Sequence, residues 1–291
     1  MKSQMVEPDS NVPVLQTQEN RVISIALFDI LGFSNMVKQK NTQELLILYK
    51  QLCDYMKEQS GDGGYPTPMP TDGVWRNGAG GLVWCICPLC IESVYFSDTF
   101  ILWADITHHD KADVALLHAF LEIVQWFFCK ALQNGIPLRG AVATGKAIMD
   151  KKESIYLGEA LVEAARAEAV QNSIGISYAP SFNKYPPFIS SYILPYSNHI
   201  KKDKEKFISR RILDWCHYWD KKDEFKNDDI FQKINNMNTD NEFSCYYDIA
   251  VNIVNFSRKH RDWTKKVDCS NVKSREELEE RTNAWLDSVK Q

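Results

Sequence analysis

The chain lacks any long apolar run. None approaches the roughly 20 residues that cross a bilayer as a helix, so no membrane span is expected in its 291 residues. The first stretch, Met1 to Asn20, is polar throughout. It predicts a loosely ordered arm over 1–20 and no secretory leader. An excess of positive charge is missing too. At a formal net charge of −4, nothing electrostatic draws the chain to nucleic acid. No sequence repeat is present. The eight cysteines (Cys53, Cys85, Cys87, Cys90, Cys129, Cys216, Cys245 and Cys269) are scattered. Without a leader they read as reduced thiols of a cytoplasmic protein. Only Cys85, Cys87 and Cys90 cluster. A structural zinc site takes four ligands, and no matching second pair follows, so these three read as the approach to a strand.

What is present is an ordinary globular composition, 44% apolar and 25% charged. The length suits one large domain, or a medium domain with an appended module. Val22 to Ile30 is a strongly apolar strand candidate. The Gly32 turn then opens a helix, with Ser34 as the expected N-cap, running to about Gln59 through Leu45, Leu48, Leu52, Tyr55 and Met56. A Gly- and Pro-rich insert begins at Ser60, so 60–91 is set apart. Glu92 to Phe96 and Thr99 to Ala104 read as a hairpin turning at Ser97-Asp98. His108-His109 reads as a polar turn. Lys111 to Gln133 is a helix with Leu116, Leu117, Phe120, Ile123, Val124 and Phe127 as its buried stripe, stopped by Asn134-Gly135. Leu138 to Ile148 is a strand. Ser154 to Gly158 leads into a helix from Glu159 to about Asn172, and a strand follows near Ile176 to Ala179.

The order β-α-β-β-α-β, then α-β, is the α+β ferredoxin-like pattern with an addition. After Pro180 the texture changes, and Lys201 to Lys206 reads as a solvated face. The division expected is 21–182 for the main domain and 183–291 for a mostly helical extension. The extension's Trp and Tyr residues favour packing on that domain.

Two aspartates stand in apolar strand-like segments: Asp29 in Leu27-Phe28-Asp29-Ile30-Leu31-Gly32-Phe33, and Asp98 in Tyr95-Phe96-Ser97-Asp98-Thr99-Phe100. A carboxylate in such surroundings is costly unless it is paired or holds a cation. On adjacent sheet positions the two would meet at one divalent-metal site, which is phosphoryl-transfer chemistry.

These segments carry a resemblance. Phe28-Asp29-Ile30-Leu31-Gly32-Phe33 resembles the first metal motif of class III nucleotidyl cyclases, and Ser97-Asp98 the second, where the family usually has Gly-Asp. Leu138-Arg139-Gly140-Ala141-Val142-Ala143-Thr144-Gly145 resembles the family's arginine strand. Gly158 to Arg166, ending Ala164-Ala165-Arg166, resembles its glycine-to-arginine helix. The resemblance implies two Mn²⁺ or Mg²⁺ ions on Asp29, Asp98 and the Ile30 carbonyl. It implies terminal phosphates on the Leu31-Gly32-Phe33-Ser34 turn, Arg139 on the triphosphate, and Arg166 on charge developing at the α-phosphate. It also implies a twofold homodimer whose composite sites draw the aspartates and the arginine helix from opposite subunits.

Departures from the family bear on the base. At the two positions that read a purine edge in the family stand Val94 and Ile155, and Val162 replaces the ribose-steadying asparagine. Apolar residues there forfeit purine discrimination by hydrogen bonds. The combination is similar to bacterial Pycsar pyrimidine cyclases. That implies a cyclic UMP or cyclic CMP signal in antiphage defence, UTP favoured over CTP, and an effector with a cyclic-nucleotide-binding module. Tyr49 or Tyr55 is expected to fill space a purine would occupy. A purine cyclase with an atypical pocket and an inactive dimeric nucleotide sensor stay open.

Overall fold

Val22–Ile30 is apolar at nearly every position because both of its faces are covered. The computed structural model describes residues 21–59, 74–76, 82–84, 91–107, 111–184, 192–238, 241–266 and 284. The expected arm over 1–20, most of the 60–91 insert, the Cys85, Cys87 and Cys90 cluster and the His108-His109 pair lie outside these residues.

Ten strands are described: β1 (Val22–Ile30), β2 (Val74–Arg76), β3 (Leu82–Trp84), β4 (Ile91–Phe96), β5 (Thr99–Asp105), β6 (Leu138–Asp150), β7 (Ile155–Gly158), β8 (Gly175–Tyr178), β9 (Ile193–Leu194) and β10 (Ile212–Leu213). The helices are α1 (Phe33–Gln39), α2 (Thr42–Gln59), α3 (Lys111–Gln133), α4 (Glu159–Ala169), α5 (Trp215–Lys221), α6 (Ile230–Met237) and α7 (Ser244–Lys266). The main sheet runs β4-β5-β1-β6-β8-β10-β9, with β7 paired to β6 alone. The segment β4-β5-β1-β6 is antiparallel throughout, as a ferredoxin-like core requires. Strand β8 joins it parallel to β6. The α+β, ferredoxin-like expectation with a mostly helical C-terminal part holds.

The two faces of β1 sort its residues by parity. Ala26, Phe28 and Ile30 face α2 and α3, where Phe120, Val124, Phe127 and Phe128 are essentially inaccessible. Each such side chain contributes roughly 1.5–3 kcal/mol by leaving water. Ile23, Ile25 and Leu27 face α4, whose Ala160, Ala164 and Ala167 allow close approach. Asp29 continues this second row.

The C-terminal residues extend both layers. Ile212 of β10 pairs with Ser177 of β8, carrying the sheet past the core. Helix α5 packs on α3 and α7. Its N-cap Asp214 accepts hydrogen bonds from the His217 N–H (3.0 Å) and the Ser257 hydroxyl (2.6 Å), and its carbonyl accepts from Gln125 of α3 (2.8 Å).

Several expectations need correction. The helix expected from Ser34 to Gln59 is two, because Asn41 caps a new start by accepting the Glu44 N–H at 2.9 Å. Gly32, not Ser34, precedes α1, with a left-handed φ of 73° and no side-chain cap. Helix α4 ends at Ala169, three residues before the expected Asn172. Residues 155–158, expected as a lead-in, form a strand on the long end of β6.

Candidate active site

Asp29 sits near the end of β1, opposite Thr99 on β5 and Arg139 on β6. Directly opposed residues share a face, so the Asp29 carboxylate and the Arg139 guanidinium meet, 3.5 Å apart. The register depends on Gly140. It lies opposite Phe28, and a β-carbon there would stand 2.7 Å from the Phe28 ring and 2.8 Å from the Leu27 carbonyl oxygen.

The hairpin brings the backbone of Asp98 to the end of β1. Ser97 takes a left-handed φ of 54° to make the tight turn, and the Asp98 carbonyl accepts the Ile30 N–H at 3.2 Å. The turn is thereby fastened to the end of β1, and Asp98's charge acts on Asp29. A third carboxylate comes from α4. Glu168 is buried and accepts the Arg139 Nε–H.

Two carboxylates, Asp29 and Glu168, thus hold one guanidinium, and Asp98 adds a third negative charge nearby. Asp29 is pushed up to about 6, chiefly by burial and then by repulsion from Glu168 and Asp98, while Arg139 pulls it back. Burial also pushes Glu168 up, and Arg139 and Lys201 offset it in part. The local surplus is negative. Among the described residues no group of three or more His, Cys, Asp or Glu side chains gathers to hold a metal. The donors that fit a hard cation are the Asp29 and Asp98 carboxylates and the Ile30 carbonyl. A pair of carboxylates completed by substrate phosphate oxygens is the usual manner of Mg²⁺ binding.

The Leu31-Gly32-Phe33-Ser34 turn leaves β1 beside this pair. Leu31 is buried, and its N–H is committed to the Pro137 carbonyl at 2.9 Å. Phe33 and Ser34 occupy the first turn of α1, where N–H groups have no intrahelical acceptor. Arg166 is exposed on α4. It is two residues from Glu168, so it points away from its own chain's Asp29.

Val94 lies on the Asp29 face, opposite Ile101 on β5 and packed with the α4-side core. Ile155 and Val162 are exposed. Tyr49 and Tyr55 lie on the other face of the sheet. Tyr49 packs on Tyr95 and Phe100, and Tyr55 on Trp126, on the α2 and α3 side of the sheet. Asp98's charge nevertheless reaches Tyr49.

Two residues beside the site escape the sequence reading. Glu168 falls on the buried stripe Ala160, Ala164, Ala167, Glu168, and a carboxylate on an apolar helix stripe is the signal that exposes it. Tyr246 of α7 has no such signal. Its ring stands over the Arg139 guanidinium, 5.9 Å from centroid to Cζ, and the neighbouring Phe243 lies against Gly32.

No protein-family model and none of the curated proteins matches the chain. Among solved structures the chain is similar to the monomeric guanylyl cyclase domain of the RhoGC fusion protein from the aquatic fungus Blastocladiella emersonii. The two are 13% identical over 61% of this chain and 90% of that one, with a TM-score of 0.38. A dimeric form of that domain is 11% identical over 60% and 86%, TM-score 0.35. The catalytic core of a rhodopsin-guanylyl cyclase with converted specificity, in complex with ATPalphaS, is 11% identical over 60% and 84%, TM-score 0.36.

Proposed function

We propose that the chain is a metal-dependent nucleotidyl cyclase that converts a pyrimidine nucleoside triphosphate, UTP before CTP, to its 3′,5′-cyclic monophosphate and pyrophosphate. The observation that carries the reading is that the hairpin turn bearing Asp98 is fastened to the end of β1, where its charge acts on the half-buried Asp29. In the reaction the ribose 3′-oxygen attacks the α-phosphorus, and the bond to the pyrophosphate oxygen breaks. Two Mn²⁺ or Mg²⁺ ions, when bound, acidify the 3′-hydroxyl and balance triphosphate charge.

The chain's own residues supply the frame. Asp29, Asp98 and the Ile30 carbonyl would hold the cations. Gly32, with the Phe33 and Ser34 N–H groups, receives terminal phosphate oxygens, and Leu31 packs the turn down. Arg139 grips the triphosphate. Arg166 serves the α-phosphate of the opposite subunit's site, which fits its exposure away from its own Asp29. Phe96, Ile155, Leu157 and Val162 are exposed apolar side chains on β4, β7 and α4, in keeping with a homodimer face there. Val94 and Ile155 offer a purine edge no hydrogen bonds, and this supports the smaller base. In this reading the product is an antiphage signal that opens an effector bearing a cyclic-nucleotide-binding module.

The test is incubation of the purified protein with all four ribonucleoside triphosphates and Mn²⁺, followed by chromatography. Cyclic UMP or cyclic CMP as the main product supports the reading. ATP or GTP turnover well above both pyrimidines removes the pyrimidine assignment.

A further inference from the structure

A guanidinium offers three surfaces: its Nε edge, its Nη end and its flat face. In Arg139 all three are engaged. The Nε edge donates to Glu168, and Nη2 lies 3.5 Å from Asp29. The Tyr246 ring stands over the group at 5.9 Å, within the roughly 6 Å range of cation–π attraction.

Tyr246 is itself held in place. Its carbonyl accepts the Ile174 N–H at 3.4 Å, and the next residue, Tyr247, is buried in the core. Phe243 meets the Tyr246 ring edge-on at 6.0 Å and also packs on Gly32. The ring's second cation, Lys201 Nζ at 5.9 Å, donates to the Ala169 carbonyl at the end of α4, the helix that carries Glu168. One short segment, 243–247, therefore touches both the phosphate turn and the arginine.

We infer that Tyr246 is a positioning residue for Arg139, and that through it the C-terminal part of the chain is a working piece of the nucleotide site. The inference rests on the proposed role of Arg139 in gripping the triphosphate. A long side chain held beforehand in its binding orientation loses less freedom when substrate arrives. Glu168 fixes the edge and Tyr246 the face, so the Nη end stays aimed at the Asp29 carboxylate, beside which the triphosphate would lie. The segment is remote in sequence from the four cyclase-like motifs, and its contribution comes only from the fold.

The experiment uses the full chain and equilibrium binding of the UTP analogue with a methylene between the α and β phosphorus atoms, in Mn²⁺. Tyr246→Met keeps bulk and loses the ring face. Tyr246→Phe keeps the ring. The set is completed by Arg139→Leu and the double variant Tyr246→Met/Arg139→Leu. Tyr246→Met is expected to weaken binding about fivefold, in line with a cation–π contact. Tyr246→Phe is expected to stay within about twofold of wild type. In the Arg139→Leu background the Tyr246→Met change is expected to add less than about twofold, because its effect runs through the arginine. Equal losses in the Met and Phe variants, or a full Tyr246→Met effect without Arg139, overturns the inference. If the wild-type chain binds no analogue, the substrate reading fails instead. Urea unfolding of wild type, the Met variant, the Leu variant and the double variant then decides the clamp. Non-additive midpoints uphold a Tyr246–Arg139 contact, and additive ones overturn it.

Discussion

Arg139 and Asp29 stand directly opposite one another on β6 and β1, their charged groups 3.5 Å apart. The pair does not neutralise the site, because Glu168 shares the same guanidinium and Asp98 adds a further negative charge. Asp29 is raised to about 6 chiefly by its burial, with these two carboxylates adding to the shift despite the arginine. This residual strain is what a divalent cation would relieve.

The sign of the pH effect follows. Asp29's proton is held more tightly in the folded chain than at the ordinary 3.8. Its contribution to stability is full below pH 3.8 and is lost as pH rises through about 6. Because the side chain is still 27% exposed, solvent screening holds the loss to about 1–3 kcal/mol. Asp29→Asn removes the charge and is expected to stabilise the chelator-treated protein at pH 7.5 by about 1–3 kcal/mol. The variant should also flatten the stability change between pH 4 and 6. Urea midpoints across this range check both, and a less stable Asp29→Asn protein at pH 7.5 contradicts the account.

Gly140→Ala tests the sheet register behind the site. The added methyl would stand 2.7 Å from the Phe28 ring, which is itself fully buried. The expected cost is about 1–3 kcal/mol, as for other overpacked cores. Chemical denaturation measures it, and a change below about 0.5 kcal/mol, within ordinary surface-substitution range, contradicts the close packing.

Ser97 carries the turn's left-handed backbone, with φ 54°. Ser97→Gly is expected to stabilise by about 0.5 kcal/mol and Ser97→Val to destabilise by more than about 1 kcal/mol, because a β-branched side chain resists that region. Thermal melts of the two variants separate them. Equal melting temperatures would contradict the assigned turn.

Much of this was legible in order and pattern. The apolar β1, the β4–β5 hairpin, the stripe of α3 and the alanine face of α4 each follow from periodicity that one or two buried faces impose. The break between α1 and α2 was legible as well, since Asn41 and Glu44 form a cap-like start, but the apolar spacing across it masks the signal. The short strands β7, β9 and β10 carry too few residues to show a period; tertiary pairing makes them. Asp29 and Asp98 stood out because a carboxylate within, or at the turn of, apolar strands is anomalous. Glu168 hid behind the more conspicuous Arg166, and Tyr246 lies 107 residues beyond Arg139 with no local pattern linking them.

The most direct measurement is product formation from UTP in Mn²⁺ by wild type, Asp29→Asn and Asp98→Asn, with melts confirming that each folds. Cyclic UMP from wild type and none from either variant is the predicted result. Undiminished cyclic product from either variant would show that the two carboxylates do not share the catalytic cation.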